Sequence, residues 1–276
     1  MIKIKSFADV KAFQSHVQPM LLRRECENCI FLGVIQRMTE GKSPIRGGGE
    51  TVPLLLSVER DGEVIAVALQ TPPHAMNVSW IGRDEAGALA NYLGEIHWPR
   101  TELSGPSPAI ELLASSLGRY EVIRQLRVFQ LDKVISPKPI PGRMRRVRED
   151  EAELLGAWID QFDRDIGEHP GDGLKTAQFL IAEGRPHFWD DGIPRAVASF
   201  SGPTPHGIRV NLVFTPPGFR GRGFASNLVA TLSQKLLDEG RKFCFLFTDQ
   251  ANPTSNSIYQ KLGYQPVADY SHLRFA

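Results

Sequence analysis

Val213-Phe214-Thr215-Pro216-Pro217-Gly218-Phe219-Arg220-Gly221-Arg222-Gly223-Phe224-Ala225-Ser226 is the stretch from which the rest of the chain is read. An apolar strand runs into two prolines, which cannot continue a hydrogen-bonded ladder. A turn of small residues follows, and Ala225–Glu239 then reads as a helix. The first turn of a helix leaves its N–H groups without intrahelical partners, at the positive end of the dipole. Gly221, Gly223 and Ala225 put little or no side chain in the way of an anion approaching those amides. Arg220 and Arg222 add positive charge nearby. These residues describe a pyrophosphate cradle between a strand and a helix.

Other phosphate loops do not fit. A nucleotide P-loop needs Lys-Ser or Lys-Thr after its glycines, and none follows here. The dinucleotide fingerprint needs a third glycine where Ser226 stands. Its ribose-binding acid is also missing, since Asp249 falls about three residues late.

A second motif lies downstream: Asn252-Pro253-Thr254-Ser255-Asn256-Ser257-Ile258-Tyr259-Gln260-Lys261-Leu262-Gly263-Tyr264. The pair of motifs resembles the GNAT superfamily of acetyltransferases. Arg220-Gly221-Arg222-Gly223-Phe224-Ala225 matches that family's Arg/Gln-x-x-Gly-x-Gly/Ala signature. The second stretch is similar to its asparagine followed by a helix ending in Tyr-x-x-x-Gly-Phe/Tyr. The resemblance is good over Arg143–Phe275 and weak over 1–135.

It implies a mixed α/β (α+β) fold, a twisted and mostly antiparallel sheet flanked by helices, and acetyl-CoA as acyl donor. The backbone of Val213, Phe214 and Thr215 would pair with the pantetheine arm. The amides of Arg220, Gly221, Arg222, Gly223, Phe224, Ala225 and Ser226 would hold the pyrophosphate. Asn252 and Asn256 would bond the pantetheine or adenylate side. Tyr259 would lie near the sulfur and protonate the leaving thiolate. The acceptor implied is a primary amine of a small molecule or peptide. The family's glutamate base has no counterpart on the strand before the cradle, which offers Arg209 and Asn211. Glu168, His169 and Asp172 are candidates only, and His187 and Trp189 are placed beside the expected acceptor cleft. The missing base keeps a non-catalytic acyl-CoA sensor or interaction module as the alternative, and a longer acyl group remains open.

Further out, Ser136-Pro137-Lys138-Pro139-Ile140-Pro141-Gly142 reads as a stiff, extended linker, because alternate prolines fix φ and push their neighbours toward extended geometry. It divides the chain into 1–135, 136–142 and 143–276. The later half reads as strand Met144–Val147, helices Asp150–Asp163 and Leu174–Glu183, and a hairpin Pro186–Trp189 with Pro194–Ser201. Strand Ile208–Thr215, the helix after the cradle, strand Phe243–Thr248, helix Asn252–Leu262 and one or two strands to Phe275 follow. The first half repeats this rhythm. Helix Ser6–Gln18 and an apolar run Met20–Met38 precede a glycine-rich loop at 40–50. A hairpin turning at Asp61-Gly62, helices Glu85–Leu93 and Ser107–Gly118, and strands Thr101–Ser104 and Arg124–Val134 complete it. A structural duplication is expected, with the first GNAT-like half degenerate because it has no phosphate signature.

The bulk numbers set bounds. Of 276 residues, 32 are basic and 31 acidic, giving a net charge of +1 and no broad footprint for nucleic acid or anionic membrane. The arginines at 143, 145, 146 and 148 read as a solvated strand face. The N-terminus lacks a signal-peptide core, and no run is long enough to span a bilayer, so a cytoplasmic monomer or homodimer is expected. Three cysteines argue against a disulfide framework. Cys26-Glu27-Asn28-Cys29 has zinc-like spacing but no second pair, so no metal is expected.

Overall fold

The computed structural model describes residues 1–41 and 52–276. Most of the loop expected at 40–50, with Gly47, Gly48 and Gly49, lies outside the described residues. The first half runs β1 (Ile2–Ser6), α1 (Val10–Leu22), α2 (Cys29–Thr39), β2 (Leu54–Arg60), β3 (Glu63–Gln70), β4 (Met76–Val78), α3 (Arg83–Glu95), β5 (Glu102–Pro106), α4 (Ser107–Leu117) and β6 (Tyr120–Leu131). The second half repeats the order with β7 (Arg143–Arg146), α5 (Ala152–Asp165), α6 (Gly173–Ala182), β8 (His187–Asp190), β9 (Pro194–Ser201), β10 (Gly207–Phe214), α7 (Phe224–Asp238), β11 (Phe243–Asp249), α8 (Pro253–Lys261) and β12 (Gln265–Phe275). The expected duplication is therefore present in the order of elements.

Differences from the sequence reading have local causes. The alternation at Ile2 and Ile4 is a strand, because it pairs antiparallel with Val58–Arg60. Helix α1 starts later than Ser6, where the Asp9 carboxylate accepts from Ala12 N–H at 2.6 Å and caps it. The run Met20–Met38 is broken at 23–28, where Asn28 Nδ2 donates to the Leu21 carbonyl at 3.0 Å. The hairpin at Asp61-Gly62 falls where expected, and both residues have positive φ, as the twist of a tight hairpin requires.

The contacts divide the chain into two compact units that do not follow a single cut. One contains Met1–Val128, Thr248–Asn252 and Pro266–Ala276; the other contains Phe129–Phe247 and Pro253–Gln265. The final strand therefore belongs with the first half, where β12 pairs antiparallel with β5 from Tyr270 to Arg274. The first unit orders its strands β1-β2-β3-β4-β5-β12, and the second β11-β10-β9-β8-β7. The 136–142 stretch is no free spacer. It lies within the second unit, where the Lys138 carbonyl accepts from Asn227 Nδ2 at 3.1 Å and the Pro141 carbonyl from Trp189 Nε1 at 2.9 Å.

Each unit covers its sheet on both faces. In the first, α1 and α2 bury Phe13, Leu21, Phe31 and Ile35 against Leu55 and Leu69, while α3 and α4 bury Leu89 and Leu113 against Leu56 and Val58. In the second, α5 and α6 bury Trp158, Ile159 and Leu180 against Phe188 and Phe214. On its other face α7 lays Phe224, Leu228, Leu232 and Leu236, spaced by one turn each, against Ile208, Val210 and Leu246. That stripe fixes where the start of α7 sits.

Helix α8 ends by a defined device. Gly263 has φ 100°, Tyr264 N–H bonds the Tyr259 carbonyl at 3.0 Å, and Gly263 N–H bonds that of Gln260 at 3.0 Å. This is the Schellman pattern, and it explains why the second motif needs glycine four residues after tyrosine. A Cβ on Gly263 would lie 2.7 Å from the Lys133 carbonyl. Gly263→Ala should therefore lower stability by roughly 1–3 kcal/mol, combining left-handed strain with the clash. Denaturant unfolding checks it, and an unchanged midpoint would contradict this account of the helix end.

Candidate functional site

The site is built where two parallel strands part. β10 pairs with β11 only from Gly207 to Arg209, and beyond that point β10 has no register partner on that side among the described residues. On its other side, β10 slips register against β9 between Asn211 and Phe214. Leu212 sits in this bulge with φ 49°, a conformation rare outside glycine. The bulge and the parting leave the backbone at 212–214 as an open edge, the surface on which an extended ligand adds as a strand.

A tight turn follows. Pro217–Phe219 form one turn of 3₁₀ helix, and Arg220 N–H bonds the Pro217 carbonyl at 3.3 Å. Gly221 and Gly223 both have left-handed φ, 76° and 84°. Only glycine takes these angles without strain. Gly223 is the N-cap of α7 and supplies no side chain to cap it. The Asn227 N–H to Gly223 carbonyl bond, 3.0 Å, is the first along the helix. The N–H groups of Gly221, Arg222, Gly223, Phe224, Ala225 and Ser226 precede it, and no acceptor among the described residues takes them. Phe224 is buried in the core, so its side chain anchors the helix start whose amide stays open. Asn227 Nδ2 also bonds the Gly223 carbonyl at 3.0 Å, tying the turn to the 136–142 strap.

These groups suit a diphosphate with an extended arm. The amides supply donors, the open edge supplies strand pairing, and Thr215 Oγ1 is buried with no partner among the described residues at the junction between them. The exception is Arg220. Its own amide is engaged, and its guanidinium donates to the Thr215 carbonyl at 2.9 Å and to Asp165 at 2.6 Å.

The second motif lies on α8. Tyr259 is 9% exposed, packs against Phe129 and Tyr264, and has its phenol pushed up to about 12 by burial. Asn256 is half-buried on the same helix, and Asn252 is exposed just before it.

Several other candidates are placed elsewhere. His187 and Trp189 belong to the α7 face of the sheet. Their register partners are the core residues Ala198 and Ala196; His187 bonds the Arg185 carbonyl, and burial depresses its pKa. Asp172 caps α6 by accepting from Lys175 N–H at 2.9 Å, while Glu168 and His169 are exposed. Arg145 is not a solvated face residue: it is bonded to Glu151 at 2.6 and 2.7 Å and to Asp190 at 2.7 Å. Cys26 and Cys29 are buried thiols, and no group of three or more metal-ligating side chains occurs among the described residues. None of their helices is long and apolar enough to cross a membrane.

The first unit shows what the same place looks like without the signature. β4 and β5 are again parallel and paired at only two positions, and α3 again starts at a glycine, Gly82. Here, however, the Glu85 carboxylate folds back over Gly82 and forms an ion pair with Arg60. It lines the shallow pocket there with Trp80 and Ile81. Sequence reasoning missed Asp165 and Asn227. Asp165 is 55 residues from Arg220, and no motif joins them. Asn227 stands two residues past the signature and reads as an ordinary helical residue.

Comparison with known proteins places this geometry. The model of the family described as FR47-like protein matches residues 204–273, which span β10, the turn, α7, β11 and α8. No match was found among curated proteins. Among solved structures, a GCN5-related N-acetyltransferase from Sphaerobacter thermophilus superposes with TM-score 0.62 at 16% identity, over 99% of this chain and 95% of its own. A tandem GNAT protein from the clavulanic acid biosynthesis pathway gives 0.58 at 12% identity, over 99% and 98%. A Drosophila protein gives 0.65 at 14%, over 99% and 98%. At these identities the likeness establishes the fold.

The placement of Tyr259 has a titration consequence. A phenol whose pKa rises from 10.0 to about 12 on folding favours the neutral form in the folded chain. Its contribution to stability is complete below the unfolded value and fades as pH climbs through the folded one. Spectrophotometric titration of the wild type against Tyr259→Phe should show no tyrosinate from this residue near pH 10.0, its ordinary midpoint. Half-ionisation there would mean that the ring is not buried.

Proposed function

We propose that this chain, whose fold is that of the GNAT superfamily, is an acetyl-CoA-dependent N-acetyltransferase that acts on a primary amine of a small molecule or peptide. The observation that carries the reading is the row of unpartnered amides at Gly221–Ser226 beside the open edge of β10. Bound acetyl-CoA supplies the activated thioester. The amides of Gly221, Arg222, Gly223, Phe224, Ala225 and Ser226 hold its diphosphate, with donors already aimed and no reorganisation required. The backbone of Val213, Phe214 and Thr215 pairs with the pantetheine arm, and Thr215 Oγ1 gains a partner. An N–H on this edge polarises the thioester carbonyl as charge develops on its oxygen. Asn252 and Asn256 bond the cofactor from the α8 side.

Tyr259 donates to the departing sulfur. Burial keeps its phenol protonated across the working pH range, the state a donor needs, while weakening it as an acid. Its first contribution is thus a hydrogen bond to the developing thiolate. β10 offers Arg209 and Asn211, and Asn211 Nδ2 donates to Ser201 Oγ at 2.7 Å. With no carboxylate base on this strand, the acceptor enters as the neutral amine, and alignment of the two reactants supplies much of the rate.

Thiol release from acetyl-CoA across a panel of amines tests the activity. Binding without thiol release for any amine would convert the reading to a non-catalytic acyl-CoA sensor. Gly223→Val should weaken acetyl-CoA binding at least about tenfold, because the new side chain meets left-handed strain and Ile140. Tyr259→Phe should lower kcat by roughly a hundredfold with little change in affinity. Calorimetry should give one acetyl-CoA per chain, since Glu85 holds the equivalent helix start in the first unit. Two sites per chain would contradict that.

A further inference from the structure

Arg220 opens the turn's signature, yet its guanidinium is committed to the protein. Nε donates to the Thr215 carbonyl at 2.9 Å and Nη2 to Asp165 Oδ2 at 2.6 Å. The same group stacks 5.8 Å from the Phe214 ring centroid, and Phe214 in turn meets Trp158 of α5 at 6.1 Å. Asp165 is the last residue of α5. One side chain thus joins the end of β10, the turn after it and the end of α5.

We propose that Arg220 and Asp165 are positioning residues that fasten the end of β10 to α5 and so hold the open edge at 212–215 in the shape that pairs with a pantetheine arm. This deepens the acetyl-CoA reading above and rests on it. The edge needs holding. Leu212 is in left-handed backbone and β10 has slipped register there, and such conformations persist only when their surroundings over-determine them. The clamp grips the residues two and three positions on, Phe214 through its ring and Thr215 through its carbonyl. The ion pair also cancels the arginine's charge locally, so Arg220 adds little net attraction for a diphosphate. Its amide is already bonded to Pro217 and adds no donor. The direct alternative is that Arg220 releases Asp165 and grips the diphosphate itself.

The two roles predict opposite signs. Asp165→Asn and Asp165→Glu are compared with wild type by calorimetry, using acetyl-CoA and the 3′-phospho-ADP fragment of coenzyme A, which lacks the pantetheine arm. The pair is exposed, 52% and 41%, so its loss should leave the melting temperature nearly unchanged. Positioning predicts that Asp165→Asn weakens acetyl-CoA by roughly two- to fivefold, the range an exposed ion pair commands, and leaves the fragment unchanged. Asp165→Glu should recover acetyl-CoA affinity. Tighter binding of both ligands to Asp165→Asn, equal weakening of both, or no change in acetyl-CoA would overturn the assignment. A wild-type chain that binds neither ligand would overturn the acetyl-CoA reading itself, and this assignment with it.

Discussion

Helix α7 begins on backbone N–H groups that no acceptor among the described residues takes, and the second unit is arranged to keep them so. An N-cap serine or aspartate would take one of these donors for itself. Gly223 stands there instead, in left-handed backbone that no other residue adopts without strain. Phe224 pins the helix start into the core, Asn227 ties it to the Lys138 carbonyl, and Ile140 packs beside Gly223. The N–H groups are thus rigid as well as open. An anion placed there would gain from donors whose ordering is already complete.

The second requirement is an edge. Parallel strands that stayed paired along their length would present no backbone to a ligand. β10 and β11 are paired for three residues and then part, and the bulge at Leu212 turns the free edge further. This explains why the prolines at 216 and 217 end the strand sharply and why Arg220 folds back on Thr215. The first unit has the same parting of parallel strands and the same glycine at the helix start. One acidic residue on the first turn of α3 changes its chemistry. Glu85 lies over Gly82 at the start of that helix, paired with Arg60. Two copies of one topology thereby differ in the charge at the start of the corresponding helix.

Much of this was legible in the sequence because the determinants are local. Glycines at 221, 223 and 263 are needed at fixed backbone angles, and the spacing of Tyr259 to Gly263 is the spacing of a Schellman helix end. Apolar alternation at Ile208 and Val210 and the stripe from Phe224 to Leu236 likewise follow from strand and helix periods. What escaped is set by partners distant in sequence. Met76–Val78 is too short to show a period and exists because β3 and β5 pair with it. The sheet face on which His187 lies is set by the register of β8 with Ala198, which turns it toward α7. The partner of the Arg220 side chain escapes in the same way, because Asp165 lies 55 residues away at the end of α5. The placement of β12 beside β5 has no signature in the last residues, whose alternation suits a strand in either unit.

Amide hydrogen exchange with and without acetyl-CoA tests the central claim most directly. The account predicts new protection confined to the segments containing Gly221–Ser226 and Leu212–Thr215, with the equivalent stretch around Gly82–Glu85 unaffected. Saturable acetyl-CoA binding that leaves exchange at Gly221–Ser226 unchanged would show that the coenzyme is held elsewhere.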